Sequence, residues 1–144
     1  MELEFKTIEY NTIEYVEMVE LRNDILLEPA GMPYAEDVFV DDEESTHCAC
    51  YDDGELVACC VLTALDDDAV RLRQMAVAED RQKQGIGAKL IAFAESEAKG
   101  FDFKEMTLHA QRQAEGFYES CGFHSYGDEF MEAGIRHIMM KKSL

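Results

Sequence analysis

Residues 69–98 change from a strand pattern to a helix pattern through a turn that contains two glycines. Apolar and polar residues alternate over residues 69–77 (AVRLRQMAV), which predicts a strand. After the turn, small and apolar residues recur at helical spacing; they are Gly87, Leu90, Ile91, Ala94 and Ala98. This spacing predicts a helix that begins at the glycine turn and ends at Gly100.

The turn between this strand and this helix has the properties of an anion site. A helix N-terminus carries unpaired backbone N–H groups and a partial positive charge, which favour an anion such as pyrophosphate. Gly85 and Gly87 let the backbone approach phosphate oxygens without a Cβ in the way. Arg81 and Lys83 add positive charge in a chain whose 13 Lys and Arg face 31 Asp and Glu. Because positive charge is concentrated here in an otherwise acidic chain, we predict phosphate binding at the turn.

Two common phosphate-binding motifs do not fit this turn. A Walker loop requires Gly-x-x-x-x-Gly-Lys and then Ser or Thr, whereas Gly87 is followed by Ala88, Lys89 and Leu90. A dinucleotide-binding fingerprint would place a third glycine where Leu90 stands, and its turn would not come after several antiparallel strands. Nucleotide hydrolysis and hydride transfer are therefore not indicated.

Strand and helix patterns continue on both sides of this turn. Asn11 with Glu14, three residues later, has the form of a helix-capping box. The pair Asp53-Gly54 lies between two apolar runs and predicts a β-hairpin within residues 46–66. Further strands are predicted at residues 3–9, 105–110, 123–126 and 135–141, and a short helix at residues 113–121.

Residues 34–45 (YAEDVFVDDEES) carry many carboxylates and show little apolar periodicity. This composition predicts a surface loop, and solubility alone is enough to explain such an acidic surface. The loop also offers negative charge to a cationic amine through five carboxylates: Glu36, Asp37, Asp41, Asp42 and Glu44. Arg22, Arg71 and Arg73 are the alternative, as groups that would hold an acceptor bearing a carboxylate.

The five cysteines are an odd number without a Cys-x-x-Cys pair, so neither a disulfide framework nor a zinc ribbon is indicated. A regular hairpin pairs Cys48 with Cys59. Cys48, Cys50 and Cys59 then share one strand face, which offers three soft ligands to a metal ion. Small buried thiols are more often core residues, so we predict core packing and no metal site.

The length and charge of the chain exclude several classes of protein. Its 144 residues, 47% of them hydrophobic, suffice for a single packed domain, residues 1–144. A net charge of −18 argues against binding to nucleic acid or to an anionic membrane surface. No apolar run approaches the ~20 residues of a membrane span, and the opening MELEFK lacks the features of a signal peptide. We therefore expect a cytoplasmic protein.

The segments QKQGIG at residues 82–87 and FYESCGF at residues 117–123 form two linked motifs. Together they resemble the acetyl-coenzyme A site of the GNAT N-acetyltransferase superfamily. The predicted order of elements resembles the same family over nearly the whole chain: strand, helix, acidic loop, three antiparallel strands, cofactor helix, strand, short helix, two strands. Residues 132–140 (EAGIRHIMM) are similar to the ending of a bacterial subgroup of small uncharacterised members, although Arg136 stands where proline is expected.

The resemblance implies an α/β fold of the α+β type, built around a twisted mixed sheet. We expect about six to seven strands, mostly antiparallel, flanked by about four helices. The implied function is that of an acyl-CoA-dependent N-acyltransferase. It would transfer acetyl from its co-substrate acetyl-CoA to a primary amine of a small molecule or peptide, by direct attack of the amine on the thioester. Exposed strand edges also permit a homodimer.

The resemblance also implies individual site residues. The backbone of Met75, Ala76 and Val77 is expected to pair with the pantetheine arm, with an amide near Val77 polarising the thioester carbonyl. Pyrophosphate is assigned to the N–H groups of Gln82, Lys83, Gln84, Gly85, Ile86 and Gly87. Gln111 stands near the family's usual Asn position as a hydrogen-bond donor to the cofactor. Tyr118 is the expected general acid, near the departing sulfur.

The group that accepts the amine proton stays open. Many members of the family use a glutamate on the fourth strand, where this chain has Arg71, Arg73 and Gln74. The remaining choices are a water or one of four side chains: His109, His137, Glu115 and Glu132. The missing strand glutamate supports an alternative function, a catalytically inactive CoA-binding sensor or interaction module of the same fold. A purely structural domain would leave the two motifs unexplained.

Overall fold

The computed structural model describes residues 2–144, in which seven strands form a mixed sheet. The strands are β1 (Leu3–Ile8), β2 (Thr46–Asp52), β3 (Glu55–Ala64), β4 (Ala69–Val77), β5 (Glu105–Gln111), β6 (His124–Glu132) and β7 (Ile135–Ser143). Their order across the sheet is β1-β2-β3-β4-β5-β7-β6, and β4 with β5 is the parallel pair among antiparallel neighbours. The predicted mixed, mostly antiparallel sheet is confirmed.

The helices are α1 (Ile13–Arg22), α2 (Ile86–Gly100) and α3 (Glu115–Ser120), and α1 continues into a π-helical segment, Asn23–Leu27. Thr12 caps α1, because its Oγ1 accepts a hydrogen bond from the backbone N–H of Tyr15 at 3.2 Å. The predicted cap at Asn11 is wrong by one residue, since Asn11 takes a left-handed turn conformation with φ 64°. No helix within residues 2–144 is both long and apolar enough to cross a membrane.

The sheet separates two hydrophobic clusters. On the α2 face, which carries Val70 and Leu72, the helix α2 buries Ile86, Leu90, Ile91, Ala94 and Ala98. This is the predicted stripe, except that Ile86 is buried in place of Gly87. On the α1 face, which carries Val61, the helix α1 packs Met18 over β1 to β4. Within the described residues, the cluster under α1 includes nothing from β5, β6 or β7, so that half of the α1 face is open.

The hairpin of β2 and β3 has a different register from the one predicted. A bulge gives β3 one extra residue, Val57, so Cys48 lies opposite Cys60 and not opposite Cys59. Cys59 therefore packs on the α1 face, whereas Cys48, Cys50 and Cys60 pack on the α2 face. These four thiols are buried and free, which confirms the core packing predicted for Cys48, Cys50 and Cys59, although these three do not share one face as predicted.

The parallel strands β4 and β5 separate after a short stretch of pairing. Their last pair is Arg71 with Thr107. Beyond it, β4 continues to Val77 and β5 to Gln111 with no pairing between them. A gap therefore opens in the middle of the sheet, and the backbone groups of β4 that point into it are free to bind an extended ligand.

A bulge at Gln74 changes the faces of the sheet on which the side chains at the end of β4 lie. Gln74 adopts φ 53°, and β4 has one residue more than β3 at this point. Before the bulge, Arg71 and Arg73 alternate with the buried residues of the α2 face and so lie on the α1 face. After it, Met75 and Val77 pack on the α2 face. The bulge thus directs the end of β4 towards α2.

The acidic loop at residues 34–45 lies mostly on the surface, as predicted, but one of its carboxylates, Asp42, is buried and holds the loop to the sheet. The side chain of Asp42 is 0% exposed and accepts hydrogen bonds from Arg22 Nη1 at 2.7 Å, from Arg73 Nη2 at 3.0 Å and from the Tyr15 hydroxyl. Burial alone would raise the pKa of Asp42, but the hydrogen bonds from Arg22 and Tyr15 outweigh it and lower the pKa. Asp42 is therefore not available to a cationic amine, which removes it from the five carboxylates that the sequence offered for this role.

Candidate active site

A cleft of about 440 Å³ lies where β4 ends and α2 begins. It is lined by Met75, Val77, Arg81, Gln82, Lys83, Gly85, Ile86, Gly87, Ala88 and Phe117. Most of the residues predicted to bind a cofactor are in this lining. Phe117, which belongs to the second motif but was not predicted as a site residue, joins them from α3.

The floor of the cleft is a run of backbone N–H groups without partners. Lys83 and Gly85 adopt left-handed conformations with φ 64° and 83°, and α2 follows directly. No acceptor within residues 2–144 receives a hydrogen bond from the N–H groups of residues 83–88. Successive free N–H groups at a helix N-terminus form a concave site for phosphate oxygens.

Arg81 does not supply the free positive charge predicted for this turn. Its guanidinium forms ion pairs with Asp52 and, at 3.5 Å, with Glu55, both at the turn between β2 and β3. These pairs fasten the phosphate turn to the neighbouring hairpin. Lys83 is exposed and forms no ion pair within the described part of the chain, so it is the cation available to an anion here.

Gly87 lies in the cleft lining, close to side chains from two other elements. A side chain on Gly87 would contact the Phe117 ring and the end of Met75. The space above the N–H groups is therefore kept open by the absence of a Cβ, which fits a ligand that approaches the backbone closely. A cofactor with a pyrophosphate fits both the donors and the space.

The end of β4 presents alternate backbone groups to the gap. The N–H of Ala78 donates to Val57 on β3 at 2.8 Å, so alternation places the N–H of Val77 on the opposite side, facing the gap. The Val77 carbonyl accepts a hydrogen bond from Gln82 Nε2 at 3.0 Å. Ala76 faces β3 through its backbone and the α1-face cluster through its side chain.

Tyr118 lies behind the cleft, next to Phe117. The two rings meet edge-on at 5.1 Å, and Tyr118 packs against the core of the α2 face, where Cys60 and Cys121 are close by. Burial, with smaller contributions from these two thiols, raises the pKa of Tyr118 to about 12. The phenol therefore keeps its proton at neutral pH and remains a hydrogen-bond donor.

Four of the predicted cofactor residues are outside the cleft lining: Ala76 and Tyr118, described above, and the two glutamines Gln84 and Gln111. Gln84 is exposed and donates through Nε2 to the carbonyl of Asp80 at 3.3 Å. Gln111 ends β5 on the far side of the gap, where its Oε1 accepts from Gln113 at 2.9 Å. Its amide nitrogen is therefore oriented by a neighbouring glutamine.

A second polar group lies on the open half of the α1 face. His109 Nδ1 is 3.0 Å from Glu132 Oε1, and His137 Nε2 is 3.5 Å from Glu132 Oε2. Phe130 packs against both imidazole rings. Glu115 is apart from them and contacts Ser125 and Arg112. Of the side chains predicted as proton acceptors, the structure thus brings together His109, His137 and Glu132.

A family model for the acetyltransferase (GNAT) domain matches residues 32–144. The chain belongs to the GNAT acetyltransferase family. The resemblance predicted from the two motifs is confirmed.

Bacterial relatives of this GNAT chain carry names without an assigned substrate. The "Uncharacterized protein YyaT" of Bacillus subtilis is 32% identical over 74 residues, which cover 51% of this chain and 50% of that protein. The "Uncharacterized N-acetyltransferase YjcF" of the same organism is 27% identical over 123 residues, covering 85% of this chain and 87% of that protein. The chain thus spans about half the length of the first of these relatives.

Solved structures share the GNAT fold over almost the whole chain. An acyl-CoA N-acyltransferase from Pseudomonas aeruginosa superposes with a TM-score of 0.86 at 22% identity, covering 98% of this chain and 99% of that one. A GNAT acetyltransferase from Elizabethkingia anophelis with acetyl-CoA bound superposes with a TM-score of 0.77 at 21% identity, covering 99% and 98%. These similarities confirm the predicted fold.

Proposed function

We propose that the protein is an N-acyltransferase that transfers acetyl from acetyl-CoA to a primary amine. The observation that carries this proposal is the run of free N–H groups at residues 83–88 beside the unpaired end of β4. A phosphate site next to a free strand edge suits a ligand that has a pyrophosphate at one end and an extended amide chain at the other. Acetyl-CoA has both parts.

The proposed placement of the cofactor follows from these groups. Its pyrophosphate binds the N–H groups of residues 83–88, with Lys83 as the neighbouring cation. Its pantetheine arm pairs with β4 at Met75 and Val77, in the gap that β5 leaves open. Gln111 donates a hydrogen bond from the opposite side of that gap.

Acetyl-CoA supplies a thioester, in which the amine nitrogen bonds to the carbonyl carbon as the carbon–sulfur bond breaks. The Val77 N–H donates to the carbonyl oxygen and stabilises the negative charge that develops there. The Tyr118 hydroxyl donates to the departing sulfur. Because the Tyr118 pKa of about 12 is above the ~8.5 of an ordinary thiol, the phenol stabilises a thiolate chiefly as a hydrogen-bond donor.

The amine must lose a proton before or during its attack on the thioester. We assign this proton to the His109–Glu132 pair, which lies on β5 and β6 beyond the point where β4 and β5 separate. The cofactor residues Met75 and Val77 belong to the α2 face, whereas this pair belongs to the α1 face. The gap joins the two faces, so the acyl group and the amine can meet across the sheet.

A thermal-melt titration with acetyl-CoA tests cofactor binding. At ~100 times its dissociation constant, a ligand that binds the folded chain adds roughly 2.7 kcal/mol to the free energy of unfolding. A protein of this size should then melt a few degrees higher, roughly 2–4 °C per kcal/mol. Two fragments serve as controls: adenosine 3′,5′-bisphosphate, which lacks the pyrophosphate, should shift the midpoint much less, and so should S-acetylpantetheine.

Thiol release with a panel of amines separates the two functions predicted from the sequence. Release of free CoA that depends on the amine supports the acyltransferase. A melt shift without any release supports the CoA-binding module instead. If millimolar acetyl-CoA changes neither the melting midpoint nor the thiol signal, both functions are wrong for this chain.

A further inference from the structure

Arg71 is a half-buried arginine that forms no ion pair within residues 2–144, in a chain with a net charge of −18. The two other arginines predicted as holders of a carboxylated acceptor, Arg22 and Arg73, both bind the buried carboxylate of Asp42. Burial lowers the pKa of Arg71, which shows that its charge is poorly solvated. The charge of Glu132 partly offsets this effect, but Glu132 forms no ion pair with Arg71, so among the described residues the guanidinium lacks a directly bonded counter-ion. A ligand carboxylate is the partner that would stabilise it.

The donors of Arg71 are only partly used by the protein. Arg71 Nη2 is 3.0 Å from His109 Nδ1. Arg71 Nε is buried without a hydrogen-bond partner, and so is the hydroxyl of Thr107, which pairs with Arg71 across the two strands. A guanidinium presents its N–H groups as a planar fork that matches the two oxygens of a carboxylate. Because Nε is buried, a ligand carboxylate would bind the guanidinium through its Nη groups: Nη1 forms no hydrogen bond within residues 2–144, and Nη2 contacts His109.

Glu132 provides a negative charge on the other side of His109. The Nδ1 atom of His109 is 3.0 Å from Arg71 Nη2 and also 3.0 Å from Glu132 Oε1. This nitrogen either accepts from Arg71 or donates to Glu132, so one of the two charged groups always lacks that bond. The Glu132 side chain is 43% exposed and accessible to a ligand. A cation and an anion thus flank a single imidazole at the gap in the sheet.

From this arrangement we infer that the acceptor is an amino acid, with its carboxylate on Arg71 and its amino group at Glu132. The inference rests on the proposed function, because it names the acceptor class of that reaction. Charge complementarity separates an amino acid from other amines. The second ammonium group of a polyamine would be repelled by Arg71. The second carboxylate of a ligand that carries two would be repelled by Glu132.

Matched acceptors test this inference by changing the carboxylate alone. L-leucine and L-lysine are compared with L-leucinamide and L-lysinamide, using thiol release and the mass of the acetylated product. We expect kcat/KM to be about tenfold or more higher for each acid than for its amide. The amino group of an amide loses its proton more readily, so amine basicity works against this preference. Equal or better use of the amides would overturn the inference.

Arg71→Gln tests whether Arg71 binds the carboxylate of the acceptor. Loss of the contact with His109 would affect every acceptor, but Arg71→Gln should lower kcat/KM for the acids about tenfold or more beyond its effect on the amides, which removes the preference. The control is Arg136→Gln. The Arg136 side chain is 74% exposed, and its ion pair with Glu129 is long, at 3.7 Å. An equal loss for acids and amides would give Arg71 a structural role and contradict the inference.

Direct binding keeps the test independent of turnover. L-leucine and L-leucinamide are titrated by calorimetry into wild type and Arg71→Gln, each saturated with CoA. Tighter binding of leucine that is lost in Arg71→Gln supports the site, and equal binding overturns it. The acetyl-CoA melt tests the proposed function separately. If acetyl-CoA raises the melting midpoint and amines are acetylated, but acids and amides are used equally well, the proposed function stands and only the amino-acid acceptor is refuted.

Discussion

A Cβ built on Gly87 would lie 3.3 Å from Cζ of Phe117. This distance is tighter than ordinary van der Waals contact, so the first turn of α2 and the ring from α3 are matched to each other. Met75 of β4 approaches the same position at 3.5 Å. Three elements that are far apart in the sequence thus close around one glycine, and the cleft depends on its having no side chain.

Gly87→Glu should weaken acetyl-CoA binding by about tenfold or more, because a side chain and a negative charge would enter the phosphate site. Gly100→Glu is the matched control, since Gly100 ends the same helix and has nothing within 4 Å of its Cβ position. Calorimetry with acetyl-CoA measures both affinities. A folded Gly87→Glu protein that binds acetyl-CoA as wild type does would remove the cofactor from this cleft.

Tyr118→Phe should lower kcat by about tenfold to a hundredfold and change the dissociation constant of acetyl-CoA much less. Only the hydroxyl is lost, and with a pKa of about 12 it is a hydrogen-bond donor throughout the neutral range. Tyr126→Phe is the control, because the ring of Tyr126 lies under Lys141 on the outer strands. Full activity of Tyr118→Phe would leave Tyr118 as a packing residue.

Asp42→Asn should reduce the free energy of unfolding by about 3–5 kcal/mol, because it leaves the buried charge of Arg22 without its counter-ion. Asp41→Asn removes the neighbouring exposed carboxylate and should change stability by less than about 0.5 kcal/mol. Denaturant unfolding at neutral pH measures both values. Equal stabilities of the two variants would mean that Asp42 is not needed to hold the loop.

The same pair of variants predicts a pH dependence. The pKa of Asp42 is lower in the folded chain than the ~3.9 of an unfolded one, so its contribution is complete above that pH and is lost as pH falls through the folded value. The stability difference between wild type and Asp42→Asn should therefore shrink below about pH 4. Melting midpoints from pH 7 down to pH 3 test this, and a constant difference would contradict it.

Thiol labelling should distinguish Cys121 from the other four cysteines. Burial raises the pKa of Cys59 to about 12 and also raises that of Cys50 and Cys121, but Cys121 alone of the five is not fully buried. A short treatment of the native protein with iodoacetamide should modify Cys121 first, and denatured protein should react at all five positions. Mass spectrometry gives the order of reaction. Early modification of Cys59 would show that the α1 face opens in solution.

The strand, glycine turn and helix at residues 69–98 could be predicted because their signals are local. Alternation, helical spacing and the positions of Gly85 and Gly87 all lie within one stretch of chain. The register of β2 and β3 could not, since the bulge at Val57 places side chains on two faces whose packing partners come from other elements. A local turn motif sets where a hairpin starts, but packing decides how its strands align.

The candidate site was predictable where backbone provides the chemistry and less so where side chains meet across the fold. Asp42 looked like one more surface carboxylate, because its partners Arg22 and Arg73 are 20 and 31 positions away. The charge of Arg81 was overestimated for the same reason, since its partner Asp52 is 29 positions away. The composition gives the number of charged residues but not which of them form ion pairs in the fold.

The anchoring of the loop at residues 34–45 through Asp42 has an evolutionary consequence. One internal carboxylate holds the loop to Arg22 and Arg73, so its outer carboxylates contribute little to the stability of the fold. Those outer residues are Glu36, Asp37, Asp41, Glu43 and Glu44. Mutations at these positions can accumulate with little loss of stability. The surface of the loop can therefore diversify while its backbone path is retained.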